Sequence, residues 1–373
     1  FDALELFTKM QEERITPNKA TFLSLLKACG SVSAKEEGKW IHNQTIISDL
    51  ATDMEIGSAL VDMYAHCGSL IDAHGVFDKL SNRDCVLCST IISACVHHGH
   101  CSTALKVFMK MEEDQIKPDK VTLLCVLKAC SSMKALNQGR IVHEQILNCG
   151  LVYDVVIRNS LIDVYIKCGN LDEARKLFDD FPIKNIVSWD SMIAGYAHAG
   201  FGYLALEIFE KMLLQGIDPD KVSFLCTLKA SGGIGAILQG RLIHDMINRK
   251  GYENDAEVGN SLIDMYAKCG SLDEATRAFK LLTCHNLASW GALIAGYAQQ
   301  GNFESANGYI DEMQQEGLKP IGMIYTSMLV ACCQAGKVEE GHRQFALLLE
   351  DLVPAIEHYN CMIDLLGRSG HLR

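Results

Sequence analysis

Self-similarity at long range governs how this chain can fold. Lys19-Ala-Thr-Phe-Leu, Lys120-Val-Thr-Leu-Leu and Lys221-Val-Ser-Phe-Leu recur every 101 residues, and Gly322-Met-Ile-Tyr-Thr follows at the same interval. Cys67-Gly68, Cys168-Gly169 and Cys269-Gly270 keep step, as do His42, His143 and His244 and the dipeptides Leu60-Val61, Leu161-Ile162 and Leu262-Ile263. Such a period replaces the usual division of 373 residues into two or three domains with a repeat architecture.

Each block cuts into three repeats, as at 85–119, 120–154 and 155–185, with lengths of 35, 35 and 31 residues. In 155–185, Val156, Ile157, Leu161, Ile162, Val164 and Tyr165 fall at helical spacing. Cys168-Gly169-Asn170 interrupts them, and Leu171, Ala174, Leu177 and Phe178 resume the pattern. The spacing predicts helix, turn, helix. The longer repeats add a tail such as Gln115-Ile-Lys-Pro-Asp119, where Pro118 ends the second helix. A helical hairpin cannot bury its apolar face alone, so neighbouring repeats must supply the core, and the expected fold is an all-α solenoid. Composition agrees. The chain is 49% apolar but only 7% aromatic, with 6 prolines, which suits packed helices and disfavours an all-β sandwich. No uncharged apolar run reaches 18 residues, so no membrane partner is expected. The 16 cysteines are scattered singly, as in a chain with reduced thiols. No signal or transit peptide opens the chain, and Phe1 begins in mid-pattern, as expected of a fragment.

The 35/35/31 alternation, with phrases such as Asn159-Ser-Leu-Ile-Asp-Val-Tyr-Ile-Lys-Cys-Gly169, Ser188-Trp-Asp-Ser-Met-Ile-Ala-Gly-Tyr196 and Gly240-Arg-Leu-Ile-His244, resembles plant pentatricopeptide-repeat proteins of the PLS class, of the organellar RNA-editing-factor type. The resemblance runs through the whole chain. It implies a right-handed α-solenoid superhelix forming one array over 1–373: a partial repeat at 1–18, ten complete repeats over 19–355 and a partial repeat at 356–373. It also implies binding of single-stranded RNA, one repeat per nucleotide, with the fifth and last residues of a repeat reading the base.

Carried onto this chain, the resemblance assigns Ser58 with Asp84, and Ser89 with Asp119, to guanine. Asn159 with Asn185, and Asn260 with Asn286, lean to a pyrimidine. A short hydroxyl leaves room for a purine, whereas a longer amide reaches a smaller base, and a carboxylate only accepts. Asp190 with Asp220 is uncommon: two carboxylates repel and neither donates, so that base stays open. Gly291 with Ile321 offers no side-chain hydrogen bond. Leu23, Leu124 and Leu225 take the first reading position in the repeats beginning at 19, 120 and 221 and cannot select a base by polarity. The expected target core is G-G-n-Y-n-n-Y. Val86, Val121, Val156, Val187 and Val222, second in their repeats, are where family members wedge a base, and their spacing fits ordinary solenoid core equally well. Lys167 and Lys268, near the ends of first helices, suit phosphate contacts or simple solvation.

Charge pulls the other way. With 34 Lys and Arg against 46 Asp and Glu, the net charge is −12, whereas a chain dominated by phosphate contacts should be basic. Base readout is therefore expected to outweigh bulk attraction, and a protein-binding scaffold is the alternative from a different class.

No catalytic centre is expected. Editing members of the PLS class often end in a cytidine deaminase, which needs a histidine two residues before a glutamate, and none of the 13 histidines has one. Cys85-x-x-Cys88 before His97, His98 and His100 invites a zinc reading. In register, however, these cysteines hold the places of Ile186 and Trp189, which are packing positions. His42, His143 and His244 are three repeats apart and are expected to bond between helices. No cofactor or metal is expected. The resulting expectation is the targeting array of a C-to-U editing factor in a mitochondrion or chloroplast. Its deaminase would lie in a missing domain or come with other editing factors in trans, and RNA stabilisation or splicing is a further use of the same surface.

Overall fold

The computed structural model describes residues 2–50, 53–80 and 83–370. Among them every regular element is helical: 22 α-helices and one 3-10 turn at Leu151–Tyr153. The chain divides into two halves, 1–183 and 184–373. In the amino-terminal half, Asp2–Glu12 precedes five hairpins: Lys19–Ser31 with Lys35–Ile47, Met54–His66 with Leu70–Lys79, Cys85–His97 with Cys101–Glu113, Lys120–Met133 with Leu136–Asn148, and Val155–Lys167 with Leu171–Asp179. The carboxy-terminal half pairs Ile186–His198 with Gly202–Leu214, Lys221–Ile234 with Ile237–Arg249, Ala256–Lys268 with Leu272–Leu281, Leu287–Gln299 with Phe303–Gln315, and Gly322–Ala335 with Val338–Asp351, and then adds Ile356–Arg368. The final repeat expected at 356–373 ends outside the described residues.

Within each half, every first helix packs on the first helix of the next repeat and on its own second helix. The core this creates is where the sequence periodicity points: Phe22, Phe77, Phe178, Phe181, Phe224, Trp189 and Trp290 are among the most deeply buried side chains. Each fully buried side chain of this kind contributes about 1.5–3 kcal/mol.

The last residue of one repeat is the N-cap of the next first helix. Asn18, Asp53, Asp84, Asp119, Asp154, Asn185, Asp220, Asp255 and Asn286 all accept backbone N–H bonds from the first turn that follows. A cap of this type is worth about 1 kcal/mol. Ile321 and Ala355 have no such oxygen to offer. First helices of the 31-residue repeats stop at Gly68, Gly169 and Gly270, whose φ of +70°, +77° and +80° an L side chain resists.

The recurring histidines tie second helices to the next first helix. Nδ1 of His42, His143 and His244 lies 2.9, 3.0 and 2.8 Å from the hydroxyls of Tyr64, Tyr165 and Tyr266. One repeat departs from its equivalents by a compensated exchange. Gly57 and Gly259 leave room for Leu80 and Leu282, whereas Arg158 fills the same place, donates to Leu177 O and Val152 O, and stacks on Phe181.

Candidate functional site

The fifth residue of a repeat lies on the first turns of its first helix, and the last residue caps the first helix that follows. Stacking these helices side by side therefore sets the two residues next to each other. In repeat 85–119, Ser89 Oγ donates to Asp119 Oδ1 at 3.1 Å. Thr122, third in the next repeat, closes the group: its N–H and hydroxyl donate to Asp119 Oδ1 at 2.8 and 2.7 Å, and its Oγ1 is 2.5 Å from Ser89 Oγ. Burial opposes the charge on Asp119, but the bonds from Thr122 and Ser89 outweigh it and hold the carboxyl below its ordinary value.

Ser89 and Asp119 line an open cleft of about 520 Å³, together with Val86, Val121, Asp62, His66 and His97. Ser89 is nearly buried, Asp119 is exposed, and the two valines are 69% and 55% exposed. Val156, Val187 and Val222 are likewise 54%, 52% and 49% exposed. Packing in the solenoid core does not account for these five side chains. A similar cleft of about 530 Å³ lies in repeat 322–355, lined by Met323, Thr326, Ala355 and His358.

Repeat 256–286 brings its two amides together: Asn260 Nδ2 donates to Asn286 Oδ1 at 3.3 Å, while that oxygen also caps the helix through Ala288 N and Ser289 N. Asn260 Oδ1 is buried without a hydrogen-bond partner. Of the other amide pair, Asn159 is half-buried in the amino-terminal half, and Asn185, in the carboxy-terminal half, accepts from Ser188 N–H and Oγ at 3.0 and 2.9 Å. Ser58 is half-buried, and Asp84 is exposed and caps through Leu87 N at 2.8 Å.

Repeat 186–220 adds a hydroxyl to the two carboxylates expected there. Asp190 is only 8% exposed, and its Oδ1 accepts from Ser223 Oγ at 2.5 Å, so a hydroxyl stands beside it. Burial pushes its carboxyl up to about 6 against the Ser223 hydrogen bond, and the Asp220 charge adds to the rise. Asp220 caps through Val222 N and Ser223 N.

In the repeats with leucine at the first reading position, the last residue is engaged as well. Lys19, Lys120 and Lys221 bind Asp53, Asp154 and Asp255 at 2.9, 2.6 and 2.9 Å, and the lysine contact is the main cause of each carboxyl lying below its usual value. Glu55 and Glu257 add to two of these pairs. Lys167 and Lys268 do not stand alone either: Asp163 and Asp264, one turn earlier, hold them at 2.9 and 2.6 Å. These pairs are open to solvent, so each adds little to stability and yields readily to a competing anion. Cys88 is core, its thiol pushed up to about 11 by burial.

Sequence reasoning passed over Thr122 and Ser223. Their signal was present in the capping pattern Asp119-x-x-Thr122 and Asp220-x-x-Ser223, matched by Asn185-x-x-Ser188 and Asn286-x-x-Ser289.

Residues 83–132 match the PPR repeat family, residues 58–85, 156–186, 187–217, 260–287 and 288–318 match the PPR repeat, and 2–32 and 309–369 match the pentatricopeptide repeat domain. A chloroplastic pentatricopeptide repeat-containing protein of Arabidopsis thaliana is 35% identical over 370 residues, covering 98% of this chain and 69% of the relative. The chain belongs to the pentatricopeptide-repeat family. A mitochondrial pentatricopeptide repeat-containing protein of the same plant is 32% identical over 375 residues, and the chain spans 54% of its length. Among solved structures, the pentatricopeptide repeat protein PPR10 in complex with an 18-nt psaJ RNA element aligns over 93% of this chain and 52% of its own, with a TM-score of 0.72 at 20% identity. PPR10 from maize aligns over 99% of this chain and 59% of its own, with a TM-score of 0.63 at 18% identity. The family matches along this chain are thus to pentatricopeptide repeats, and the described residues form the all-α repeat fold.

Proposed function

We propose that this array binds single-stranded RNA by sequence, one repeat to one nucleotide, with G-G-n-Y-n-n-Y as its core target. The observation that carries the proposal is the cleft of repeat 85–119, where the hydrogen-bonded pair Ser89 and Asp119 lies between the exposed valines Val86 and Val121. A base entering there covers apolar surface on both valines and exchanges hydrogen bonds with the pair. Guanine suits it: Asp119 accepts from the ring N–H, and the Ser89 hydroxyl donates to the carbonyl. Each matched pair contributes about 1–3 kcal/mol of discrimination, by analogy with direct base readout.

Support of a coarser kind comes from relatives. PPR10 has been solved with an RNA element, and similar plant proteins are named chloroplastic or mitochondrial. We extend the reading to an organellar C-to-U editing factor of the PLS class, whose array chooses the cytidine while a deaminase or other editing factors act in trans. The 35/35/31 alternation supports that class. With net charge −12 and with Lys167 and Lys268 paired to carboxylates, the array should bind with a shallow salt dependence.

Filter binding of a G-G-n-Y-n-n-Y oligoribonucleotide against a scrambled one tests the proposal. Preferential retention of the first is expected, and equal, negligible retention of both rejects it. The acidity favours a protein-binding scaffold as the second reading, which that negative result would leave standing.

A further inference from the structure

Repeats 85–119 and 186–220 hold equivalent places in successive blocks. The first carries Ser89, Asp119 and Thr122, and the second Asp190, Asp220 and Ser223. The exchange is compensated in space: where Ser89 becomes the larger Asp190, the residue beside it loses a methyl group, from Thr122 to Ser223. Asp190 is 8% exposed, as Ser89 is, with Oδ1 2.5 Å from Ser223 Oγ. That hydroxyl accepts Asp220 N–H at 3.3 Å and lies 3.4 Å from Asp220 Oδ1. Ser223 has one proton to donate, and two carboxylates lie within its reach. A proton on Asp190 Oδ2 relieves the crowding of charge, because Ser223 can then donate to Oδ1 while Oδ2–H becomes a donor.

We propose that repeat 186–220 selects guanine, the neutral carboxyl of Asp190 donating to the base O6 while the Asp220 carboxylate accepts from N1–H. This deepens the reading of the array as an RNA binder and rests on it. Protonated Asp190 does what the Ser89 hydroxyl does one block earlier. Adenine and cytosine, placed in the same way, turn an unprotonated ring nitrogen to the Asp220 carboxylate, which has no proton to offer it. Uracil offers a carbonyl and an N–H but no second donor. Guanine also brings a second donor, its N2 amino group, to the carboxylates.

The surroundings support a proton on Asp190. Burial is the main cause that raises its carboxyl to about 6, against the Ser223 hydrogen bond, and Asp220 raises it further. The helix Lys221–Ile234, packed against Ile186–His198, presents Asp220 at its head and the Cys226 thiol, itself pushed up to about 11 by burial. The second helix, Gly202–Leu214, buries only Gly202, Ala205, Ile208, Phe209 and Met212, none of them charged.

The test measures fluorescence anisotropy of the intact chain with four G-G-n-Y-N-n-Y oligoribonucleotides that differ at the fifth nucleotide, at about pH 5.5 and about pH 8, where the protonation of Asp190 differs most. Guanine is expected to bind about tenfold more tightly than the other bases at the lower pH, with the advantage shrinking at the higher. Asp190→Ser, whose hydroxyl donates at either pH, should hold the guanine preference at both pH values, and Asp190→Asn, which does not titrate, should lose the pH response. Melting curves of both variants check that they fold. A pyrimidine preference, no preference at the fifth nucleotide, or a pH response shared by Asp190→Asn overturns the inference while leaving RNA binding intact, provided the second nucleotide is still discriminated. Loss of discrimination at every nucleotide removes the RNA reading and this inference together.

Discussion

Repeats 85–119 and 186–220 place a residue pair and a hydroxyl at equivalent positions, and they differ in how charge is kept. In the first, one carboxylate, Asp119, is exposed and stabilised by Thr122 and Ser89. In the second, a carboxylate is sealed beside another and its proton affinity rises. Repeat 287–321 takes the third course: Gly291, Ile321 and Ile324 bring no polar side chain at all. The helical frame is indifferent to these exchanges because stacking rests on residues such as Trp189 and Trp290, which are buried in the core. A solenoid can therefore vary its chemistry one repeat at a time.

Moving the aspartate between the two sites should have the largest effect. Ser89→Asp, with Thr122 left in place, overfills the site and buries a second carboxylate, and should cost about 3 kcal/mol at neutral pH in denaturant unfolding. Adding Thr122→Ser should recover about 1 kcal/mol of this. Equal stability of the single and double variants would break the parallel between the repeats.

The reverse change comes next. Raising the Asp190 carboxyl from 3.8 to about 6 means that ionised Asp190 opposes folding. Stability is unaffected by this group below its unfolded value, declines as pH rises from about 4 to about 6, and stays low above that. Asp190→Asn should therefore raise stability by about 2–3 kcal/mol at pH 8 and by little at pH 4. A gain of the same size at both pH values would mean that ionisation is not the cause.

The smallest effect separates folding from binding. Val86→Ser and Val187→Ser alter side chains that are 69% and 52% exposed. Unfolding free energies should stay within about 0.5 kcal/mol of the original, while affinity for the matched RNA falls about fivefold as apolar contact is lost. A large loss of stability would return these valines to the core.

Much of this was legible beforehand, and the rest was hidden for identifiable reasons. Hairpin boundaries followed from Gly68, Gly169 and Gly270 and from tails such as Lys117-Pro118-Asp119, because backbone conformation at those points depends on residue type. The exposure of Val86 and its equivalents was not legible, since a helix carries apolar residues at the same spacing whether a neighbour covers them or not. The environment of Asp190 depends on Ser223, 33 residues away, and only stacking of hairpins brings the two together. The Lys167 and Lys268 ion pairs lie one helical turn away in the sequence, at Asp163 and Asp264, a local spacing that the expectation of phosphate contact or simple solvation passed over.

Asp119→Asn probes the central claim most directly, since it preserves a capping oxygen and gives the reading position an N–H donor. Binding is measured to four oligoribonucleotides differing only at the nucleotide matched to repeat 85–119. The original chain should prefer guanine there and Asp119→Asn should prefer adenine, with every other nucleotide read as before. An unchanged preference, or a uniform loss of affinity for all four, would contradict one-to-one reading by these side chains.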